Sequence, residues 1–70
     1  MRLSTRNQLP GRVTSVQQGE AMAVIKVALD GGGQTITASI TREAIQDLGL
    51  AEGTPVTILV KSTDVSLAVE

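Results

Sequence analysis

Three segments of this chain alternate apolar and polar residues with a strict period of two. Ile36, Ala38 and Ile40 alternate with Thr35, Thr37 and Ser39; Val56, Ile58 and Val60 repeat the pattern after Gly53-Thr54-Pro55; Val65, Leu67 and Val69 repeat it again to the end of the sequence. Successive side chains of a strand point to opposite faces, so each run predicts a strand buried on one side.

Two further strands are weaker in pattern. Ala21–Leu29 is apolar on its odd positions, while its even face carries Met22, Val24 and Ala28, interrupted by Lys26. A strand apolar on both faces is usually covered on both, and in so short a chain the second cover would be another subunit. Arg12–Gln17 rests on Val13, Val16 and the β-favouring Thr14. Asp30-Gly31-Gly32-Gly33-Gln34 reads as a turn between strands. A phosphate-binding loop would need a following Lys-Ser/Thr and a helix, whereas Gln34 and a strand follow. One helix of about two turns fits: Thr41 as cap, Arg42-Glu43-Ala44 as its opening, Ile45 and Leu48 facing inward, Gly49 as a left-handed end. The expectation is an all-β fold, a five-stranded barrel of the oligonucleotide/oligosaccharide-binding (OB) type with one short helix between strands 3 and 4.

Composition then limits how such a fold can be held. The 70 residues include no Phe, Tyr, Trp, Cys or His. Each buried aromatic normally contributes ~150–250 Å² of contact, so a purely aliphatic interior is thin. Small domains compensate with disulfides, a metal or oligomerisation. The absence of cysteine and histidine removes the first and most of the second, leaving oligomerisation. Net charge is −1 and the basic residues are scattered at positions 2, 6, 12, 26, 42 and 61, giving no electrostatic drive toward nucleic acid. No segment approaches the ~20 apolar residues of a membrane span, and no signal stretch opens the chain, so a cytoplasmic address is the default. Residues 1–70 read as one domain, and a start at Met1 with an end at the last strand is expected of a free-standing protein.

Chemistry concentrates at two places, Ser4-Thr5-Arg6-Asn7-Gln8-Leu9-Pro10-Gly11 and Lys61-Ser62. If Arg2–Leu9 is extended, as the position before Pro10 favours, Ser4 and Arg6 share a face at roughly 6.6 Å along the strand. A guanidinium and a hydroxyl at that separation can grip adjacent oxygens of one anion, and Lys61 adds the second charge that balances a dianion. The plainer alternative pairs Arg6 with a surface carboxylate and leaves Ser4 to water. Lys61 and Ser62 point to opposite faces of a regular strand. They serve one ligand only if the strand ends there, which Thr63-Asp64 favours, or if Ser62 offers its backbone N–H.

Between the first two strands, Gly19 either lets a backbone approach a ligand or supplies a positive φ in a plain connection. Asn7 is assigned to local chain hydrogen bonds, and Met22 to core or interface. The seven carboxylates, Glu20, Asp30, Glu43, Asp47, Glu52, Asp64 and Glu70, form no acid/base couple, and with no histidine or cysteine this is not the inventory of an enzyme.

The stretch from Ser4 to Gly11 resembles the Ser-x-Arg-Asn-Gln-Leu-x-Gly opening of the molbindins, small molybdate-binding proteins also called Mop proteins. The likeness continues through Gly32–Ala38, Leu48-Gly49-Leu50, Glu52-Gly53, Val56-Thr57 and Lys61-Ser62, spanning essentially the whole chain in order. The resemblance implies a five-stranded OB-type barrel without DNA binding, assembled as a homohexamer built as a trimer of dimers. Molybdate or tungstate would be held between subunits by hydrogen bonds, with no metal coordinated directly and no catalytic cofactor. By the same resemblance Ser4, Arg6, Lys61 and Ser62 match the main oxyanion ligands, and Gly19, Glu20 and Ala21 match a loop that supplies backbone donors. Many relatives carry a serine where this chain has Ala44, so only a backbone N–H is left there.

Intracellular molybdate or tungstate storage and homeostasis is the function these readings support first. The same fold also serves as a structural or regulatory interaction module. A single-stranded nucleic-acid barrel would stack bases on aromatic side chains, and this chain has none. The same lack counts against a pterin ligand.

Overall fold

The computed structural model describes residues 2–70; Met1, where the chain was read to start, lies outside the described residues. Its elements in order are β1 (Asn7–Gln18), β2 (Met22–Leu29), β3 (Thr35–Thr41), α1 (Arg42–Leu48) and β4 (Pro55–Val60), followed by a single 3₁₀ turn at Ser62–Asp64. The strands form one open antiparallel sheet in the order β3-β2-β1-β4.

The expected five-stranded barrel is therefore corrected to an open four-stranded sheet with one short helix between its third and fourth strands. Val65–Val69, expected as the fifth strand, pairs with neither edge of the sheet, and Leu67 and Val69 are 94% and 98% exposed. Alternation specifies which face a strand buries, but a strand forms only where another backbone takes up its N–H and C=O groups. The 3₁₀ turn ends the run of β4, and no strand of this chain receives the segment beyond it.

The first strand is twice the length expected from Arg12–Gln17, because its two halves have different partners. Its C-terminal part pairs with β2, from Gly11↔Leu29 to Gln18↔Ala23. Its N-terminal part pairs with β4, from Asn7↔Val60 to Arg12↔Pro55. Pro10 is tolerated inside the strand for a geometric reason. Its carbonyl accepts from the Asp30 N–H at 3.0 Å, and a strand residue's N–H and C=O point to the same side. The missing donor would thus have faced the end of β2, not the β4 ladder. A bulge between Val13 and Ser15 bends the strand, with the Thr14 hydroxyl donating to the Lys26 carbonyl at 3.3 Å.

The core lies on one face: Val13, Ala23, Ile25, Val27 and Ile45 are buried, with Val16, Ala38, Ile40, Leu50, Val56 and Ile58 packed around them. The odd positions of β2 face inward as its pattern predicts, while Met22 on the even face is 48% exposed. α1 forms as expected. Thr41 accepts a hydrogen bond from the Ala44 N–H, and Gly49 ends the helix at φ 65° with its N–H on the Gln46 and Ile45 carbonyls. Only Ile45 of the two residues expected to face inward does so. Leu48 is 67% exposed, and Leu50, hydrogen-bonded back to the Ile45 carbonyl, packs on the core instead. An apolar hollow of about 230 Å³ remains beside the core, between Ile25, Ile40, Leu48 and Ile58.

Gly11 occupies the point where β1 is hydrogen-bonded to β2 and β4 together. A Cβ there would lie 2.5 Å from the Ala28 carbonyl oxygen and 2.8 Å from a Val27 methyl. The first of these is backbone in a paired strand and cannot step aside. Gly11→Ala is expected to destabilise the fold by about 1–3 kcal/mol. In thermal melts followed by circular dichroism at fixed protein concentration, each kcal/mol lowers the midpoint by roughly 4–8 °C for a domain of this size.

Candidate functional site

The antiparallel register that sets Asn7 opposite Val60 also sets the residues before β1 against those after β4. Ser4, Thr5, Arg6, Lys61, Ser62 and Thr63 meet there and line a recess of about 370 Å³. Two short links hold its mouth. The Asn7 side-chain amide donates to the Val60 carbonyl at 3.0 Å, tying the two arms together across 53 residues of sequence. The Gln8 side-chain amide donates to the Thr5 carbonyl at 2.9 Å, fixing the arm that carries Ser4 and Arg6. Asn7 thus does bond the chain, as its residue type suggested, but across the ladder and not locally.

The other arm is shaped by the 3₁₀ turn. β4 stops at Val60, Lys61 stays extended at φ −61°, ψ 140°, and the Asp64 N–H closes on the Lys61 carbonyl at 2.9 Å. Since the strand ends there, Lys61 and Ser62 reach the same recess in place of opposite faces. Asp64 does not line it. The first arm departs from the extended reading: the ladder begins only at Asn7 and the chain bends at Ser4. Thr5, between Ser4 and Arg6, consequently lines the recess with them.

The lining contains two cations, four hydroxyls and no carboxylate. Among the described residues, no side-chain hydrogen bond within the chain involves Ser4, Arg6, Lys61 or Ser62. Such a surface attracts an anion by charge and presents N–H and O–H donors to its oxygens. Thr5 and Thr63 are the functional candidates that residue-by-residue reading missed. The available signal was the pair of hydroxyl dipeptides, Ser4-Thr5 and Ser62-Thr63, one on each arm.

The remaining candidates lie elsewhere. Gly19, Glu20 and Ala21 form the hairpin between β1 and β2, at the opposite end of a 12-residue strand, roughly 40 Å of chain at ~3.3 Å per residue. Beside them stands the start of α1, since the Arg42 N–H donates to the Ala21 carbonyl at 2.9 Å. Two of the donors there are engaged: Gly19 N–H on the Met22 carbonyl at 2.8 Å, and Ala44 N–H on the Thr41 hydroxyl at 3.1 Å. Gly19 does not adopt a positive φ. What favours glycine is space, since a Cβ would stand 3.0 Å from the Met22 carbonyl oxygen.

Comparison with known proteins adds independent findings. The TOBE domain matches residues 3–67. Molybdenum-pterin-binding protein 3 of Clostridium pasteurianum is 44% identical over 69 residues, covering 96% of this chain and 97% of that protein. Among solved structures, MopII from Clostridium pasteurianum superposes with a TM-score of 0.89 at 37% identity, over 97% of this chain and all of the other. The cytoplasmic molybdate-binding protein ModG, solved with molybdate bound, gives 0.92 at 38% identity, over 100% of this chain and 49% of that chain.

The amide link across the mouth is open to a direct test. Asn7→Ala should cost about 0.5–1.5 kcal/mol of stability. The loss should concentrate at this end of the ladder, with backbone amides of residues 8 and 59–61 exchanging faster by hydrogen exchange than those of the β1–β2 hairpin.

Proposed function

The chain belongs to the TOBE-domain family, among the Mop molybdenum-pterin-binding proteins, and on that premise we propose that it binds, stores and buffers molybdate or tungstate in the cytoplasm without catalysing a reaction. The observation that carries this reading is the convergence of Arg6 and Lys61 with four hydroxyls, and no carboxylate, on one recess. Molybdate is fully ionised at neutral pH and offers only acceptors, which suits a lining of cations and hydroxyl donors. A pterin ring needs an aromatic platform, and the chain holds no aromatic residue. The bare oxyanion is therefore the better match here, although the relatives' names join molybdenum to pterin. The cytoplasmic address follows ModG, which is described as cytoplasmic.

In the proposed assembly the anion sits between copies of the chain. A recess of about 370 Å³ is an order of magnitude larger than the ~30 Å³ that one water occupies in the liquid, so a small anion touching these side chains stays open on its other side. A second copy would close it by bringing up its hairpin of Gly19, Glu20 and Ala21 and the start of α1 at Ala44. Within that group Glu20 and Ala21 are the better backbone donors, because the N–H groups of Gly19 and Ala44 are already hydrogen-bonded. Two apolar features support self-association, culminating in a hexamer built as a trimer of dimers: the hollow beside the core, and the alternating Val65, Leu67 and Val69, exposed by 47%, 94% and 98%. A strand of that pattern fits the open edge of another copy's sheet.

A second reading, an interaction module, draws support from longer relatives of which this chain matches only a part, such as the molybdenum transport protein ModE of Herbaspirillum seropedicae, 40% identical over 25% of its length. Binding measurements separate the two.

Isothermal titration with molybdate and tungstate, with sulfate and phosphate as controls, should show tight binding of the first pair. The double variant Arg6→Ala/Lys61→Ala should weaken molybdate binding at least a hundredfold, from two charge-assisted contacts at ~1.5–3 kcal/mol each. Unchanged affinity would overturn the proposed site. Removal of residues 65–70 should reduce the mass measured by light scattering at equal concentration. An unaltered mass would show that this segment does not hold the assembly.

A further inference from the structure

We infer that Thr5 and Thr63 are oxyanion ligands through their side-chain hydroxyls, one contributed by each arm of the recess, making a four-hydroxyl set with Ser4 and Ser62. This deepens the proposed function and rests on it, since it names further ligands of the same site.

Geometry carries the inference. In an ideal strand, residues 4 and 6 would face one way and residue 5 the other. Here the ladder begins at Asn7 and the chain bends at Ser4, so Ser4, Thr5 and Arg6 all line one recess. Thr5 is the only half-buried member of the six; the other five are exposed. Its backbone carbonyl accepts from the Gln8 side chain at 2.9 Å, which holds the segment that carries its hydroxyl. On the opposite arm, the 3₁₀ turn stacks Lys61, Ser62 and Thr63 in succession, with the Asp64 N–H on the Lys61 carbonyl and the Val65 N–H on the Ser62 carbonyl. Neither threonine hydroxyl takes part in a described hydrogen bond within the chain.

The chemistry of the ligand calls for such groups. A tetrahedral dianion has four oxygens, each able to accept more than one hydrogen bond. Arg6 and Lys61 neutralise the charge, but a lysine ammonium is a compact charge without a fixed fork of donors. Hydroxyls on short side chains supply directed donors at small entropic cost, since each rotates to suit its acceptor. Threonine adds a methyl group that narrows its χ1 choices.

The test uses the intact chain. Thr5→Val and Thr63→Val keep shape and remove only the hydroxyl, while Thr5→Ser and Thr63→Ser keep the hydroxyl and remove the methyl. Molybdate titration of each, beside thermal melts, should show about tenfold or greater weakening in each valine variant with an unchanged melting temperature. The serine variants should bind within a few-fold of the parent. If the parent binds molybdate, Arg6→Ala/Lys61→Ala abolishes binding, and both valine variants still bind as the parent does, the inference is overturned while the site reading stands. If the serine variants weaken binding while the valine variants bind as the parent does, the methyl and not the hydroxyl matters, and the inference is likewise overturned. Should the parent bind no molybdate, both the site reading and this inference fail together.

Discussion

The structure depends on one strand being shared. Among the described residues, β1 is the only element paired on both sides along different halves of its length, with Gly11 and Arg12 belonging to both ladders. Its pairing with β4 is also the most distant in sequence: Asn7 and Val60 are 53 residues apart. Closing a loop of that length in one step would cost about 3.5 kcal/mol in chain entropy beyond the constant term. The β1–β2 and β2–β3 hairpins, each closed by a local turn, shorten the loop that this pairing has to close. The recess at residues 4–6 and 61–63 exists only when this last pairing is made. The candidate site is therefore tied to the strand pairing most distant in sequence among the described residues.

A second constraint is what the sheet leaves uncovered. Five aliphatic side chains are buried, and of the larger ones only Val13 is less than 2% exposed. An interior without rings cannot fill the concavity of a bent sheet, and the hollow between Ile25, Ile40, Leu48 and Ile58 is the remainder. The apolar residues that could fill it are present in the sequence, at 65, 67 and 69, but they project away from their own chain. Association is one way in which proteins cover exposed apolar surface and unpaired sheet edges. Core and site thus share a requirement. In the proposed assembly each is completed by another copy of the chain.

Local patterns were legible in proportion to how local their physics is. Thr41 and Gly49 bracketed the helix to the residue, because capping depends on a few neighbouring backbone groups. The inward face of β2 and the strands at 35–41 and 55–60 followed from alternation. The length of β1 did not, because Pro10 and Gly11 read as strand breakers unless one knows that Pro10 faces past the end of β2 and that Gly11 sits where two ladders cross. The fifth strand failed for the complementary reason: alternation at Val65–Val69 records a face to be buried, not the chain that will bury it. At the site, Ser4, Arg6, Lys61 and Ser62 were visible as donor types near a turn. Thr5 was hidden by the assumption of a regular strand, whose alternation turns it away from Arg6.

The make-up of the recess also bears on how a bound anion would be released. The chain has no histidine, the side chain whose charge ordinarily changes between pH 5 and 8, and no carboxylate lines the recess. A modest shift of pH therefore has no local group through which to eject a ligand. What remains is mass action, with occupancy following the free anion concentration. Where the site is shared between copies, linkage adds a second control: an anion that binds the assembled form more tightly must strengthen assembly by the same factor. Under the proposed function, such a protein would load and assemble together, and give up its ligand as the free concentration falls. That behaviour needs no hinge and no titrating switch, which agrees with a recess lined by fixed charge and hydroxyl donors.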